Sequence, residues 1–223
     1  MRALIIGCGY VGEALGQRLI ALDHEVTGIR RSSQHNDRLA KLGIRPLNLD
    51  ITQEIEFEKL DAHYDQVVIA VSPGRGGNEA YQKVFGLGVN HITKWLQRSA
   101  LTSVVFISST SVYRQKNAEW VQEDIADIPE NITSKTLWEA EQKISTTEQG
   151  VTILRSSGIY GPGRSHLFRQ FMDGNATIEG DGERYLNMVH RDDLAEAITH
   201  SLTNKDKICG TFNITDDEPV KQL

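Results

Sequence analysis

The sequence predicts an α/β fold built on a doubly wound parallel sheet. Short apolar runs of strand length alternate with longer stretches that repeat apolar residues at helical spacing, which is typical of successive βα units. Residues 67–71 are all apolar, so they suit a strand that helices cover on both faces. With 223 residues, the chain has room for one large domain, or for one domain with a small additional lobe.

The elements follow one another in the order that this fold requires. In the first helix, Val11, Ala14, Leu15 and Leu22 fall at positions i, i+3, i+4 and i+11 and give it one apolar face. Further helices are expected over residues 78–99 and 134–149. Strands are expected over residues 3–6, 25–29, 44–49, 66–71, 103–108 and 151–155.

Composition excludes several classes of protein. The chain has 24 basic and 30 acidic residues, and its net charge of -6 argues against nucleic-acid binding through overall positive charge. No stretch approaches the roughly 20 apolar residues of a membrane span, and the first apolar run is too short for the core of a signal peptide. Two cysteines cannot form a disulfide framework in a chain of this size. We therefore expect a cytoplasmic protein.

A glycine motif lies between the first strand and the first helix. Gly7, Gly9 and Gly12 form G-x-G-x-x-G, in which the first glycine permits the turn, the second admits a pyrophosphate and the third allows close packing of helix on strand. The backbone amides at Tyr10 and Val11 would then bind phosphate at the helix N-terminus. The motif predicts a Rossmann dinucleotide-binding domain; the alternative is a glycine-rich turn that binds no ligand.

The residues after the second strand bear on the choice of cofactor. Folds of this kind that take NAD usually place an acidic residue some 20 residues beyond the glycines, where it binds the ribose 2'-hydroxyl. Here Arg30 and Arg31 occupy that place, and a guanidinium can bind a 2'-phosphate. The sequence thus favours NADP, with NAD possible, unless the arginines only solvate a loop. Asp50 either accepts from the adenine amino group or caps the following turn.

From residue 158 onward, the composition changes to glycine-rich, polar connections around shorter elements. We expect a Rossmann domain over residues 1–157 and a small C-terminal substrate lobe over residues 158–223, interleaved with the end of the sheet. Residues 211–214 are predicted as the last strand of the lobe. A truncated gene, a disordered tail and a compact lobe would each give the observed ending at Leu223.

Six short motifs, beginning with the glycine motif, are spread over nearly the whole chain. They are G-C-G-Y-V-G at residues 7–12, V-N at 89–90, F-I-S-S-T-S-V-Y at 106–113, L-R at 154–155, G-I-Y-G-P-G at 158–163 and N-M-V-H-R-D-D-L-A at 187–195. Together they resemble the extended branch of the short-chain dehydrogenase/reductase superfamily, which contains NAD(P)-dependent nucleotide-sugar epimerases and dehydratases. The glycine spacing departs from the commoner G-x-x-G-x-x-G and is similar to that of atypical members.

The resemblance implies a set of catalytic residues. Ser109 matches the hydroxyl residue that polarises the substrate oxygen, although a hydroxyl at a strand end can also simply satisfy backbone groups. Lys135 matches the lysine of the family's Tyr-x-x-x-Lys motif, where it either contacts the nicotinamide ribose or faces solvent. The tyrosine position holds Asn131. An amide cannot exchange a proton near neutral pH, so acid/base catalysis at that position is lost.

Other candidate groups have competing interpretations. Tyr113 could donate a proton, although in the family this tyrosine usually has a structural role. Arg155 or Arg164 could hold an anionic substrate group such as a diphosphate; the alternative is a proline-glycine turn with no further role. Cys8 could have a lowered thiol pKa near a helix N-terminus, or it could simply be a small residue that fits. No pair of residues has the spacing of metal ligands, so no metal is expected.

Two functional hypotheses follow. The first is an NAD(P)-binding epimerase or reductase that acts on a nucleotide sugar or a related small polar substrate. The second is a non-catalytic NADP-binding redox sensor or regulator that has lost the catalytic tyrosine. The expected partners are a small-molecule substrate and, as an option, a second copy of the chain in a homodimer, with no nucleic acid and no membrane.

Overall fold

The computed structural model describes residues 1–61, 63–74, 76–99, 103–125, 127–147, 150–164, 166–177, 180–204 and 208–221, without the side chains of residues 166–168. The strands are β1 (Arg2–Ile6), β2 (Glu25–Arg30), β3 (Arg45–Asn48), β4 (Gln66–Ile69), β5 (Ser103–Ser109), β6 (Val151–Ser156), β7 (Gly158–Tyr160), β8 (Tyr185–Leu186), β9 (Met188–His190), β10 (Gly210–Ile214) and β11 (Val220–Lys221). The helices are α1 (Tyr10–Ala21), α2 (Asn36–Lys41), α3 (Gly77–Tyr81), α4 (Val89–Leu96), α5 (Ile132–Ser145), α6 (His166–Met172) and α7 (Arg191–Thr203). A π-helical segment, Gln82–Gly88, joins α3 to α4, and short 3₁₀ turns cover Ser33–His35, Glu54–Lys59 and Thr110–Val112.

The central sheet has seven strands in the order β10-β6-β5-β4-β1-β2-β3, and every neighbouring pair is parallel. The strand order reverses between β1 and β4, as it does in doubly wound sheets. The predicted fold class is therefore confirmed, and each predicted strand is found with ends that differ by at most two residues. Residues 148–149 of the third predicted helix lie outside the described residues.

Both faces of the sheet are buried, because side chains alternate between faces along each strand. In β1, Leu4 and Ile6 pack with residues of α4 and α5, while Ala3 and Ile5 pack with residues of α1 and α7. All four side chains are fully buried. One strand thus contributes to two separate hydrophobic cores, which explains its unbroken apolar sequence.

The strands after β6 belong partly to two small sheets and partly to the central sheet. β7 pairs with β9, and β8 with β11, in two small sheets. β10 instead pairs with β6 at the edge of the central sheet, from Gly210 opposite Thr152 to Ile214 opposite Ser156. The expectation that residues 211–214 form the last strand of a lobe is wrong, since hydrogen bonds join this strand to the parallel sheet. The division of the chain at residue 157 stays a prediction.

Candidate functional site

A cavity of about 920 Å³ runs along the carboxyl ends of the parallel strands. Its lining includes Arg31 after β2, Gly9 after β1, Ser109 at the end of β5 and Ser157 after β6. Ligands of open α/β sheets bind at this edge, where the strand order reverses. The cavity therefore lies where the fold would place a dinucleotide.

The three glycines of the motif have different surroundings. Gly7 has φ of 94°, and a Cβ there would lie 2.5 Å from the carbonyl oxygen of Ala70. A Cβ on Gly12 would lie 3.0 Å from both Gly7 and Ile5, so this glycine lets α1 pack closely on β1. A Cβ on Gly9 would meet no atom within 4 Å among the described residues, apart from those of its two chain neighbours. The fold therefore requires glycine at the first position and leaves little room for a Cβ at the third, whereas at the second the small residue keeps open a surface that a ligand can approach.

Tyr10 and Val11 begin α1 beside this open surface, and both line the cavity. The first intrahelical hydrogen bond runs from the amide of Glu13 to the carbonyl of Gly9, at 2.8 Å. The amides of the preceding turn have no acceptor within the helix, which makes a helix N-terminus a binding site for anions. The residues present therefore fit the pyrophosphate of a dinucleotide.

The two arginines after β2 have different environments. Glu13, which is nearly buried on α1, pairs with Arg30 at 3.0 Å and with Arg38 at 2.8 Å. Both arginines line the cavity, and Arg31 is the more exposed of the two. Arg30 is therefore held by a carboxylate, whereas Arg31 presents its guanidinium where an anionic ligand could reach it.

Asp50 also lines the cavity, after β3. Its Oδ1 accepts hydrogen bonds from the amide of Thr52 at 2.9 Å and from the Thr52 hydroxyl at 2.8 Å. Of the two interpretations of Asp50, the structure shows the turn cap. The other carboxylate oxygen still leaves acceptor capacity at the cavity.

Ser109 ends β5, and its Oγ accepts a hydrogen bond from the amide of Ser111 at 3.1 Å. A hydroxyl that accepts one hydrogen bond can still donate its own proton. The local backbone role of Ser109 is therefore present, and it does not exclude donation to a ligand in the cavity.

Asn131 and Lys135 lie at the start of α5. The Asn131 side chain accepts from the amide of Ser134 at 2.8 Å, so Asn131 is the N-cap of the helix. The ammonium of Lys135 lies 4.0 Å from Glu139, and half of its side chain is exposed. Within the described part of the chain, neither residue is among those that line the cavity. A catalytic or ribose-binding role for Lys135 stays a prediction.

A buried ion pair joins Arg155 on β6 to Glu141 on α5. Arg155 donates to both carboxylate oxygens of Glu141, at 2.8 to 3.2 Å, and to the hydroxyl of Tyr113 at 2.9 Å. Ser108 donates to the same carboxylate. Burial alone would lower the pKa of Arg155, but the hydrogen bonds and negative charge of Glu141, together with the interactions of Tyr113, outweigh it and raise the pKa. The interpretation of Arg155 as a ligand for a substrate anion is wrong, because its guanidinium is occupied by these partners, and Tyr113 has a structural role in the same network.

Tyr10 lies between two arginines at the cavity. The guanidinium carbons of Arg164 and Arg191 lie 5.3 and 5.1 Å from its ring centroid, a distance typical of cation–π contacts. Arg191 also pairs with Asp192 at 2.8 Å. Arg164 is exposed and lines the cavity. Its role in binding an anionic substrate group stays a prediction.

Cys8, inside the glycine turn, is fully buried. Burial, with a further contribution from the charge of Glu13, raises the pKa of its thiol to about 12. The interpretation as an activated thiol is therefore wrong. In the part of the chain that the structure describes, no group of three or more His, Cys, Asp or Glu side chains could hold a metal ion, and no helix has the length and apolarity needed to cross a membrane.

Most of the residues that line the cavity were not predicted from the sequence, and three of them carry polar groups of interest. Tyr81 and Lys83 come from the end of α3 and the π-helical segment, and such segments often occur at functional sites. Ser157 follows β6, and its hydroxyl is buried without a hydrogen-bond partner in the described structure. A serine directly after a buried strand was the only signal available for Ser157, and it is a weak one.

Comparison with known proteins places these features in a family. The model of the NAD-dependent epimerase/dehydratase family matches residues 3–215 of the chain. The chain belongs to this family. The predicted resemblance to extended short-chain dehydrogenases/reductases is thereby confirmed.

Two known proteins are similar to this chain in sequence. The chain is 29% identical to Protein YeeZ of Escherichia coli over 205 residues, which cover 89% of this chain and 72% of YeeZ. It is 27% identical to the epimerase family protein SDR39U1 of Homo sapiens, with 91% of this chain and 70% of that protein covered.

Solved structures of family members superpose closely on this chain. An NAD-dependent epimerase/dehydratase structure from Methylobacillus flagellatus matches with a TM-score of 0.82 and 31% identity over 99% of this chain and 77% of that one. The UDP-glucuronic acid 4-epimerase of Bacillus cereus, in complex with NAD, matches with a TM-score of 0.82 and 23% identity over 100% and 80% of the two chains. At 23% identity, this second match shows a shared fold and no more.

Proposed function

We propose that this protein binds NADP(H) along the carboxyl edge of its sheet and acts as an epimerase or reductase on a small polar substrate such as a nucleotide sugar. The open surface at Gly9 carries the proposal. Among the described residues, its two chain neighbours aside, no atom lies within 4 Å of the place where a side chain would project, directly beside the first-turn amides of α1. This is the arrangement that a dinucleotide pyrophosphate requires.

Arg31 supports the preference for a 2'-phosphate. It is exposed at the cavity, after the strand that would face the adenosine ribose. The nearby carboxylate of Glu13 is turned towards Arg30 and Arg38, which neutralise it. A guanidinium attracts a phosphate, and paired carboxylates repel it less than an unpaired one would.

The substrate proposal rests on Arg164 and on related structures. The Bacillus cereus epimerase has been solved with UDP-glucuronic acid and NAD, and the protein MoeE5 with UDP-glucose and NAD. Both ligands carry a diphosphate. In this chain, Arg164 lines the cavity from the loop after β7, where its charge suits such a group.

Ser109 is the proposed group for substrate activation. A bound nicotinamide would supply or accept a hydride, and the substrate oxygen would gain or lose negative charge as this happens. The Ser109 hydroxyl accepts from Ser111 and can donate its own proton to that oxygen. Asn131 has no proton to give at neutral pH, so the proton must come from water or from a hydroxyl of the cavity.

A second candidate function is a non-catalytic NADP(H) sensor. The capping role of Asn131 favours it, because the residue at the family's acid/base position is committed to the N-terminus of α5. The two functions share the cofactor cavity and differ in turnover.

Thermal unfolding with NADP, NADPH, NAD and NADH tests the cofactor, since a ligand that binds the folded state raises the melting temperature. We expect a larger shift for the phosphorylated pair. Arg31→Ala should weaken NADPH binding about tenfold or more and leave NADH nearly unchanged, because one charge-assisted hydrogen bond contributes about 1.5–3 kcal/mol. Lys41→Ala, an exposed cation outside the cavity lining, is the matched control. Equal losses for both cofactors would refute the role of Arg31.

Ser109→Ala separates the two functions. In an enzyme, it should lower the reaction rate about 10²-fold without abolishing cofactor binding. The rate is that of NADPH oxidation for a reductase, and that of conversion between sugar-nucleotide epimers, with no net change in the cofactor, for an epimerase. A wild-type rate in this variant would remove the role of Ser109. Tight NADPH binding without turnover of any substrate tried would favour the sensor.

A further inference from the structure

The ring of Tyr10 connects the glycine turn to two segments that follow β6. Tyr10 begins α1 and is half-buried, and the guanidinium carbon of Arg164 lies 5.3 Å from its ring centroid. A Cβ on Gly161 would lie 3.0 Å from the Tyr10 hydroxyl and 2.9 Å from Nε2 of His190. Glycine at residue 161 therefore lets the loop after β7 pack closely against the edge of the ring, beside the start of α7.

The two arginines over this ring differ in their charge partners. Arg191, whose guanidinium carbon is 5.1 Å from the ring centroid, pairs with Asp192 at 2.8 Å. No carboxylate among the described residues pairs with Arg164, whose guanidinium contacts the Tyr10 ring instead. A carboxylate neutralises a guanidinium, whereas an aromatic ring holds it and leaves its charge available. Arg164 is therefore restrained and can still bind an anion.

The backbone of Arg164 is held independently of its side chain. Its amide donates to the carbonyl of Gly161 at 2.9 Å, and the two residues form an antiparallel bridge. This turn fixes where the side chain begins, but an arginine side chain has several rotatable bonds, and ordering them when a ligand binds reduces the affinity. The contact with the Tyr10 ring restrains the exposed guanidinium at the cavity beforehand, which lowers this entropic cost.

We propose that the Tyr10 ring positions Arg164 for the diphosphate of the substrate. This proposal rests on the proposed function, since it needs a substrate that carries a diphosphate. Tyr10 would then serve two ligands: its backbone amide belongs to the first turn of α1, where the cofactor pyrophosphate is proposed to bind, and its ring acts on the substrate through Arg164. Tyr10 is thus a positioning residue for substrate binding.

The test is calorimetric titration of UDP into the protein with NADPH present. Tyr10→Leu should weaken UDP binding about two- to fivefold, as expected for the loss of one exposed cation–π contact. NADPH affinity should not change, because the backbone amides remain. Tyr10→Phe keeps the ring and should bind UDP as the wild type does. Tyr185→Leu is the matched control, since Lys221 lies 5.8 Å from the Tyr185 ring centroid and neither residue lines the cavity.

Two further measurements show whether Tyr10 acts through Arg164. In an Arg164→Ala background, Tyr10→Leu should cause no further loss of UDP affinity, since residues that act through one contact are not additive. In the wild type, nuclear Overhauser effects should connect the Tyr10 ring with the Arg164 side chain. The second measurement needs no variant, so it tests the contact even if Tyr10→Leu fails to fold. Additive losses, or the absence of these Overhauser effects, would overturn the proposal.

The outcomes separate this proposal from the one on which it depends. If the wild type binds neither NADPH nor UDP, the proposed function fails and this inference with it. If it binds NADPH but not UDP, the substrate proposal and this inference are refuted while the cofactor site stands. If Arg164→Ala weakens UDP binding but Tyr10→Leu does not, only the role of Tyr10 is refuted. If Tyr10→Leu weakens NADPH and UDP equally, Tyr10 acts through the fold, which also overturns the proposal.

Discussion

Glu141→Gln should destabilise the protein strongly, because it leaves a buried cation without its counter-charge. Glu141 is completely buried and Arg155 is 5% exposed. Arg155 makes three hydrogen bonds to this carboxylate. Glutamine keeps the shape and one acceptor oxygen but removes the negative charge. Breaking a buried pair on one side costs about 3–5 kcal/mol, and we expect a value near the lower limit.

The assay is urea denaturation, with the melting temperature as a second measure. A loss of about 3 kcal/mol is a large part of the roughly 5–15 kcal/mol that stabilises a typical domain. For a chain of this length, each kcal/mol lowers the melting temperature by about 2–4 °C, so a decrease of about 6–12 °C is expected.

The same helix provides the matched control. Glu139 lies two residues before Glu141, its side chain is 57% exposed, and its partner Lys135 is 4.0 Å away. Glu139→Gln should cost less than about 0.5 kcal/mol, as exposed pairs do. Similar losses for both variants, or a loss below about 1 kcal/mol for Glu141→Gln, would refute the reasoning that burial makes this pair important.

Three further predictions concern the glycine turn, the thiols and acid stability. Gly9→Ala should fold normally, since its Cβ meets no atom of the described residues beyond its chain neighbours, but it should lose dinucleotide affinity. Gly7→Ala should instead lower the melting temperature, because its Cβ collides with the backbone of Ala70. Wild-type binding by folded Gly9→Ala would contradict this. A thiol reagent should modify exposed Cys209 in the native protein and spare Cys8, whose pKa is raised to about 12 by burial; mass spectrometry after short exposure distinguishes them. Hydrogen bonds from Arg45 and Arg2 lower the pKa of Asp61. The stabilisation of the fold by this carboxylate is therefore present at neutral pH and is lost as the pH falls through the folded-state pKa. Asp61→Asn should therefore be less stable than the wild type at pH 7 in urea titrations and equally stable in strong acid, and a constant difference would argue against the ion pair.

Local patterns were sufficient for most of the fold. The apolar run at β4 predicts a buried strand, and the glycine motif predicts a tight turn between β1 and α1. Both predictions depend only on neighbours in the chain, and both are confirmed. The place of residues 211–214 in the central sheet was not predicted. These residues pair with β6, almost 60 residues earlier, and the local sequence pattern does not indicate such a distant partner. Alternation and turn chemistry report on a strand, but not on which sheet it joins.

The site was less accessible to sequence reasoning than the fold. The partners of Arg30 and Arg155 are carboxylates on helices, Glu13 and Glu141, and only the packing of α1 and α5 brings them within reach. From the sequence, all arginines near the strand ends look equally able to bind an anion. The structure shows that Arg30 and Arg31 both line the cavity, that Arg30 is paired with Glu13, and that Arg155 is buried in its own ion pair.

The late position of β10 in the chain has a consequence for synthesis on the ribosome. Its partner β6 ends at Ser156, but β10 is complete only at Ile214, so β6 must wait for nearly 60 further residues to be translated. During that interval, β6 is an exposed edge made of buried-type residues, which is a template for pairing with other chains. Slow translation between these two strands would lengthen the exposure and raise the demand for chaperones.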